Sequence, residues 1–282
     1  MADEPDPDLA LHFVPAVRID TGSASGAPVE EEVGLVREAR LTIDLERIDS
    51  YTLLCTPQDD LALAAGFLLS EGIIEDLSDV AALKRCTDDP EVVRVRLVKP
   101  RPAIGDPGRN LLIVSSCGAC GTEDLAARIA SLPAVGDELR VGAAVLRRTV
   151  EKLRDHQPLF AACAGTHAAA IFDATGQILA AAEDAGRHNA LDKAIGKCLL
   201  AGIPTRGRGV VLSGRVSLEM VGKCARAGLE LVAAVSAATS LAVEVADRCN
   251  ITLCAFVRGT RATVFGHARR LGARPTFGPA SP

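Results

Sequence analysis

The sequence predicts an α/β protein. Three observations carry that expectation: short apolar runs alternate with helical patterns from residue 168 to 257, the runs are nearly unbroken Ala, Val, Leu and Ile, and small polar residues punctuate them. Strands without alternation, joined through helices, belong to a sheet covered on both faces.

From the N-terminus, residues 1–30 lack periodicity and hold the filler Gly22-Ser-Ala-Ser-Gly-Ala-Pro28, so a flexible N-terminal tail is expected. Alternation in Leu41-Thr-Ile-Asp-Leu45 and Tyr51-Thr-Leu-Leu-Cys55 predicts a hairpin. An apolar helix follows from Asp60 to Glu71 and stops at Gly72. Val92–Val98 reads as a strand, and a Pro/Gly-rich loop at 100–109 leads to another at Leu111–Val114. Residues 31–110 therefore make an N-terminal α/β part. Helical patterns at about 122–131 and 142–155 make 111–160 a helical excursion carrying a Cys-bearing loop.

The second half is more regular. Ala168–Phe172 and Gln177–Ala182 flank Asp173-Ala-Thr-Gly176, a hairpin signal. Then come a helix from about Asn189 to Ala201, strand Gly209–Leu212, helix Ser217–Ala227, strand Leu231–Ser236, helix Ser240–Cys249 and strand Ile251–Val257. Residues 161–270 form an α/β sandwich, and 271–282 are a C-terminal tail.

Composition narrows the function. The 282 residues are 48% hydrophobic and 24% charged, with no Trp and one Tyr, so the core is aliphatic. A net charge of −5 argues against nucleic-acid binding, which runs on basic surface. The start, Met1-Ala-Asp-Glu-Pro-Asp-Pro-Asp8, lacks the basic and apolar regions of a signal peptide. No apolar run reaches the roughly 18 residues of a membrane span. A cytoplasmic protein is expected, whose nine cysteines are thiols. Most, such as Cys198, Cys224 and Cys254, lie in apolar patterns and suit a core.

Cys117 and Cys120 differ. They lie in Ser115-Ser-Cys-Gly-Ala-Cys-Gly121, a glycine-flanked turn between a strand pattern and a helix start at Thr122. A neighbouring thiol and a helix N-terminus both favour the reactive thiolate. A structural zinc site would need a second ligand pair, and neither a second C-x-x-C nor a deaminase or metalloprotease pattern is present. No metal ligands are therefore assigned. A thioredoxin-like redox pair stays open, although Gly-Ala between the cysteines suits mobility more than a tuned disulfide.

Ligands of open parallel sheets gather at the carboxyl ends of strands. Three such ends carry hydroxyls and cations: Ser213-Gly-Arg215, Ser236-Ala-Ala-Thr239-Ser240 and Arg258-Gly-Thr-Arg261. Arg forks onto phosphate or a guanine edge, whereas Ser or Thr at a helix start serves equally well as a plain cap. Thr166-His167 and Glu183-Asp184-Ala-Gly-Arg-His188-Asn189 add a polar cluster that is costly to bury unless paired or used. His167, Asp184 and His188 are thus candidate proton carriers of an active cavity, with a structural hydrogen-bonding role as the alternative.

In order along the chain, Gly66-Phe-Leu-Leu-Ser-Glu-Gly72, Ser115–Gly121, Gly165-Thr-His-Ala-Ala-Ala170, Glu183-Asp-Ala-Gly-Arg-His-Asn-Ala-Leu-Asp-Lys193, Ser213-Gly-Arg-Val-Ser217 and Phe256-Val-Arg-Gly259 resemble the FdhD family of formate dehydrogenase accessory sulfurtransferases. The resemblance implies a cytidine-deaminase-like three-layer α/β/α sandwich with a mixed sheet and no deaminase zinc. It implies a sulfur carrier that accepts persulfide sulfur from a cysteine desulfurase. The sulfur is then passed to a bis-molybdopterin guanine dinucleotide molybdenum (or tungsten) cofactor, bound as cargo, for formate dehydrogenase. Cys117 would bear the persulfide and Cys120 assist it. Phe256, Val257, Arg258, Gly259, Thr260 and Arg261 would hold the guanine dinucleotide, with Ser213, Arg215, Ser236 and Thr239 at the neighbouring strand ends. A homodimer is implied as well. Two positions depart from the family: Ala164 replaces the first Gly of Gly-Gly-Thr-His, and Ala238 stands where Ser-Ala-Pro-Thr-Ser has Pro. Both keep a small side chain, so altered loop stiffness with intact chemistry is expected. A non-enzymatic cofactor chaperone and a thiol-disulfide oxidoreductase remain the competing functions.

Overall fold

The structure, a computed structural model, describes residues 10–22, 28–46, 48–99, 111–113 and 122–272. A two-stranded ribbon pairs β1 (Leu11–Arg18) with β2 (Val29–Val36). A five-stranded sheet contains β3 (Ala39–Leu45), β4 (Asp49–Cys55), β5 (Val80–Arg85), β6 (Val92–Leu97) and β7 (Leu111–Ile113), in the order β5-β6-β3-β4-β7. Helix α1 (Asp60–Ser70) follows β4, and α2 (Thr122–Ala130), α3 (Ala143–Lys152) and α4 (Pro158–Cys163) lead into the second half.

That half is built on a six-stranded sheet. Its strands are β8 (His167–Phe172), β9 (Ile178–Asp184), β10 (Gly209–Leu212), β11 (Leu231–Ala234), β12 (Thr252–Arg258) and β13 (Arg261–Phe265), ordered β13-β12-β11-β10-β8-β9. Helices α5 (Arg187–Leu200), α6 (Leu218–Arg226) and α7 (Ser240–Arg248) connect them. Only β10, β11 and β12 run parallel; β8, β9 and β13 are antiparallel to their neighbours. The sheet is mixed, as expected, because the turns at 173–176 and 259–260 are too short for a parallel crossover.

Alternate residues of these strands enter two cores. Ala169, Ile171, Val210, Leu212, Val232, Ala234 and Leu253 join α1, α5, α6 and α7. Ala168, Ala170, Phe172, Val211, Ala233 and Cys254 face the other way. The second face is covered by Leu139, Val141, Leu146 and Leu153. Much of the expected helical excursion is therefore an integral layer of the sandwich, since the face that includes Phe172 would otherwise lie open to water.

The expected tail is also corrected. Leu11–Arg18 is a strand with an eight-residue register to β2, and Phe13 (58% exposed) and Val17 (57%) stand out on its surface. Conversely, β13 was not read from the sequence. Its five residues follow β12 after the two-residue turn Gly259-Thr260.

The motif Gly66–Gly72 has a structural role. Where α1 crosses α5, Gly66 abuts the carbonyl of Asp192 and Gly196 that of Ala62, leaving no room for a methyl on either. One turn on, the buried Lys223 ammonium reaches Asp192 Oδ2 at 2.8 Å, Glu71 Oε1 at 2.9 Å and Ser70 Oγ at 2.9 Å. The three helices α1, α5 and α6 are thus locked by one charge network. Burial opposes the charged form of Lys223, but Asp192 and Glu71 outweigh it and hold its pKa above the ordinary value.

Candidate functional site

One edge of the six-stranded sheet collects the strand ends that the sequence singled out. β10, β11 and β12 finish there at Leu212, Ala234 and Arg258. Because β8 is antiparallel to β10, its first residue, His167, lies at the same edge, and Asp184 of β9 pairs directly with His167. Backbone bonds stitch the loops beyond the strands. Val216 donates to the Ala237 carbonyl at 2.9 Å, Thr239 to that of Val216 at 3.0 Å, and Phe256 to that of Ser236 at 3.0 Å.

At the β12–β13 end, Phe256, Arg258, Thr260, Arg261, Ala262 and Thr263 line an open cleft of about 630 Å³. Phe256 adopts φ 54° within an irregularity of the β12–β13 register, which leaves its ring 48% exposed. A left-handed non-glycine backbone is costly and is worth a functional question. Arg258 is braced by a bond from its Nε to the Val235 carbonyl at 3.0 Å. Val257 is buried in the second core, and Gly259 has φ 53° in the turn. Of the predicted nucleotide-holding stretch, Phe256, Arg258, Thr260 and Arg261 thus line the cleft.

The remaining strand-end residues divide. Thr239 caps α7, accepting from Ala242 N at 3.3 Å, and Ser236 contributes its carbonyl to Phe256. Arg215 is exposed. Ser213 Oγ accepts from Ala168 N at 2.9 Å and faces His167 Nδ1 at 3.5 Å.

At the β8–β9 end the polar cluster is largely satisfied internally. Asp184 is fully buried and accepts from Thr56 N at 2.9 Å, Gly186 N at 2.8 Å and Asn189 Nδ2 at 3.0 Å. Its Oδ2 lies 2.6 Å from Lys193 Nζ. Glu183 accepts from Leu159 N, Phe160 N and Thr166 Oγ1 at 2.6–2.8 Å, and so anchors the start of α4. Both carboxylates act as braces in this arrangement. His167 is half-buried; burial first, and then the Arg187 guanidinium, push its pKa below 6.5, partly opposed by Asp184. His188 is half-buried near Glu219.

Cys117 and Cys120 lie outside the described residues. Of the seven cysteines that are described, Cys55, Cys86, Cys198, Cys224, Cys249 and Cys254 are buried, and Cys163 is half-buried. Burial pushes Cys55 and Cys254 up to about 12 and Cys198 up to about 11, so they stay inert thiols at neutral pH. Among the described residues no group of His, Cys, Asp and Glu is placed to hold a metal, and no helix is long and apolar enough to cross a membrane.

The sequence reading included Arg187 and Gly214 in its motifs but gave neither a role. Gly214 lies where a Cβ would sit 3.3 Å from His167 Nδ1 and 3.4 Å from Arg187 Cβ. A signal was present: Arg187 is the first residue of α5, where the helix dipole disfavours a cation.

Residues 36–272 match the FdhD/NarQ family. The chain is 38% identical over 228 residues to the sulfur carrier protein FdhD of Saccharolobus solfataricus, covering 80% of this chain and 85% of that one. It is 37% identical to the protein of the same name from Bordetella bronchiseptica, covering 96% and 97%. The crystal structure of a Desulfotalea psychrophila protein, described as a formate dehydrogenase accessory protein, superposes with a TM-score of 0.73 at 23% identity, covering 93% and 99%. That likeness concerns the mixed α/β fold.

Proposed function

The chain belongs to the FdhD/NarQ family, and on that premise we propose that it is a sulfurtransferase serving formate dehydrogenase. The thiolate of Cys117 attacks the outer sulfur of a persulfide on a cysteine desulfurase. A new S–S bond forms on Cys117, the old one breaks, and the donor leaves as a thiolate. Cys120 is the assisting thiol. The sulfur is destined for a bis-molybdopterin guanine dinucleotide molybdenum cofactor held as cargo and handed on to formate dehydrogenase.

The observation that carries this reading is that the motifs around His167, Asp184, Ser213 and Phe256 meet at one end of the six-stranded sheet, with an arginine-lined cleft at its β12–β13 side. Exposed Phe256 offers a face for a guanine base, and Arg258 and Arg261 offer charge for its phosphates. In this reading residues 161–270 are a cytidine-deaminase-like sandwich that holds the cargo, residues 31–110 the N-terminal α/β part, and the protein a cytoplasmic homodimer. Helices on one face and the 139–153 segment on the other support the three layers.

The test is mass spectrometry of the chain after incubation with desulfurase and cysteine. One added sulfur atom on the peptide containing Cys117 is expected, and Cys117→Ala should fold yet leave formate dehydrogenase inactive. Cofactor binding without a sulfur adduct would make the protein a chaperone instead. A stable Cys117–Cys120 bond with disulfide-reducing activity would make it an oxidoreductase.

A further inference from the structure

We propose that the apolar row Leu11, Phe13, Pro15 and Val17 on the β1–β2 ribbon is the surface through which two copies of this chain pair. The inference rests on the homodimer reading above and supplies what that reading lacks, the face on which the copies meet.

The ribbon is an arm that its own chain leaves largely uncovered. Of the ten large apolar side chains exposed among the described residues, five (Phe13, Val17, Ile19, Val29 and Leu35) fall within residues 11–36. No third strand joins β1 and β2, and the body meets the ribbon where α4 packs beside β2, with Val36 against Gly165. A lone two-stranded ribbon is marginal in water, so an apolar one of this length needs a cover.

Its hydrogen-bond pattern limits how that cover approaches. Arg37 N donates to the Ala10 carbonyl at 2.8 Å, which makes residues 10 and 37 a bonded pair. Bonded pairs alternate along an antiparallel ladder. Residues 12, 14, 16 and 18 therefore also bond to β2, while 11, 13, 15 and 17 turn their backbone groups to the open edge of β1. The central donor of that edge is missing, because residue 15 is proline. A further strand cannot zip along β1, so contact is made by a face.

The two faces differ. One carries Val14, Val33 and Leu35 but is broken by His12, Arg18 and Glu31, the last two paired at 3.0 Å. The other bears Leu11, Phe13, Pro15 and Val17 in an unbroken row. Phe13 lies over Gly34, where an added Cβ would sit 3.1 Å from the ring, so the aromatic is already held against the ribbon as an anchor. Beside the row, on β2, stand Glu30 and Glu32, exposed and, among the described residues, in no ion pair.

A second copy fits this layout. A two-fold axis along the ribbon sets row on row and sends the two acidic strands to opposite rims, in water. Any other protein has to bring an apolar row together with cations for Glu30 and Glu32. Strands of eight residues are about 27 Å long and the ribbon about 10 Å wide, so with side-chain relief one face offers on the order of 500 Å². A pair then buries about 1,000 Å², the lower bound of a specific interface. The dimer is accordingly reversible, with dissociation in the micromolar range.

Sedimentation velocity of the full chain over a concentration series tests this. Wild type should pass from monomer to dimer, and added salt should tighten the dimer by screening the repulsion between two chains of charge −5. Phe13→Asp should weaken association about thirtyfold or more, and Leu35→Asp, on the opposite face, less than about threefold. Both side chains are exposed in one copy, so neither change should lower the thermal midpoint of the monomer. Hydrogen exchange of the wild type needs no variant: protection of residues 11–18 should grow with protein concentration. A dimer whose affinity is unchanged by Phe13→Asp overturns the ribbon interface and leaves the homodimer reading standing. A chain that stays monomeric throughout the series overturns both. A dimer that loosens as salt rises, with no added protection at 11–18, is held by a polar surface elsewhere and also overturns the proposal.

Discussion

Lys193 and Asp184 form a sealed ion pair: Nζ lies 2.6 Å from Oδ2, and neither side chain has any exposure. Lys193 also donates to the Thr56 carbonyl at 2.9 Å, which ties the end of β4 to α5 across the base of the candidate site. Lys193→Met leaves a buried carboxylate without its counter-charge. A loss of about 3–5 kcal/mol is expected in urea denaturation. A loss below about 1 kcal/mol would show that this ion pair does not hold β4 to α5.

Gly66→Ala pushes a methyl into the Asp192 carbonyl at the α1–α5 crossing. Neither backbone can yield without separating the helices and stretching the Lys223 network. We expect destabilisation of about 3 kcal/mol, the upper part of the overpacking range, and a lowered thermal midpoint in calorimetry.

Ala164 has φ 52° at the carboxyl end of α4, a left-handed position that suits glycine. Its departure from the family's Gly-Gly-Thr-His is therefore a strained residue rather than an innocent small one. Ala164→Gly relieves about 1–2 kcal/mol of backbone strain and costs part of that in chain entropy. A net stabilisation of about 0.5–1 kcal/mol by denaturant titration is expected.

His167 is held below its ordinary 6.5 by burial and by Arg187. As pH falls, the unfolded chain therefore takes up this proton before the folded one. Stability contributed by the neutral ring is complete above 6.5 and declines as pH drops through that value toward the folded pKa. His167→Gln should flatten this part of the stability profile, measured by denaturation at a series of pH values. An identical slope in the variant would place the protonation elsewhere.

Much of this was readable from local pattern. The hairpin around Asp173–Gly176 and the helix from Asp60 depend on turn chemistry and periodicity that neighbouring residues impose. Strand β1 was not readable, because Pro15 interrupts it and its partner lies beyond a ten-residue gap. The packing of residues 139–153 on the sheet was equally hidden, since a half-apolar segment does not state which open face it will cover.

By itself, then, the sequence determined the α/β class, the turn chemistry and the family, because each is written in the identity and spacing of nearby residues. Which residues meet was decided by tertiary structure. An antiparallel β8 brings His167 beside Ser213, a glycine at 214 lets the chain pack closely against His167 and Arg187, and Asp184 finds its counter-charge in Lys193. Those contacts rest on strand direction and on the free energy of burying charged and apolar groups together, which no local window of the chain contains.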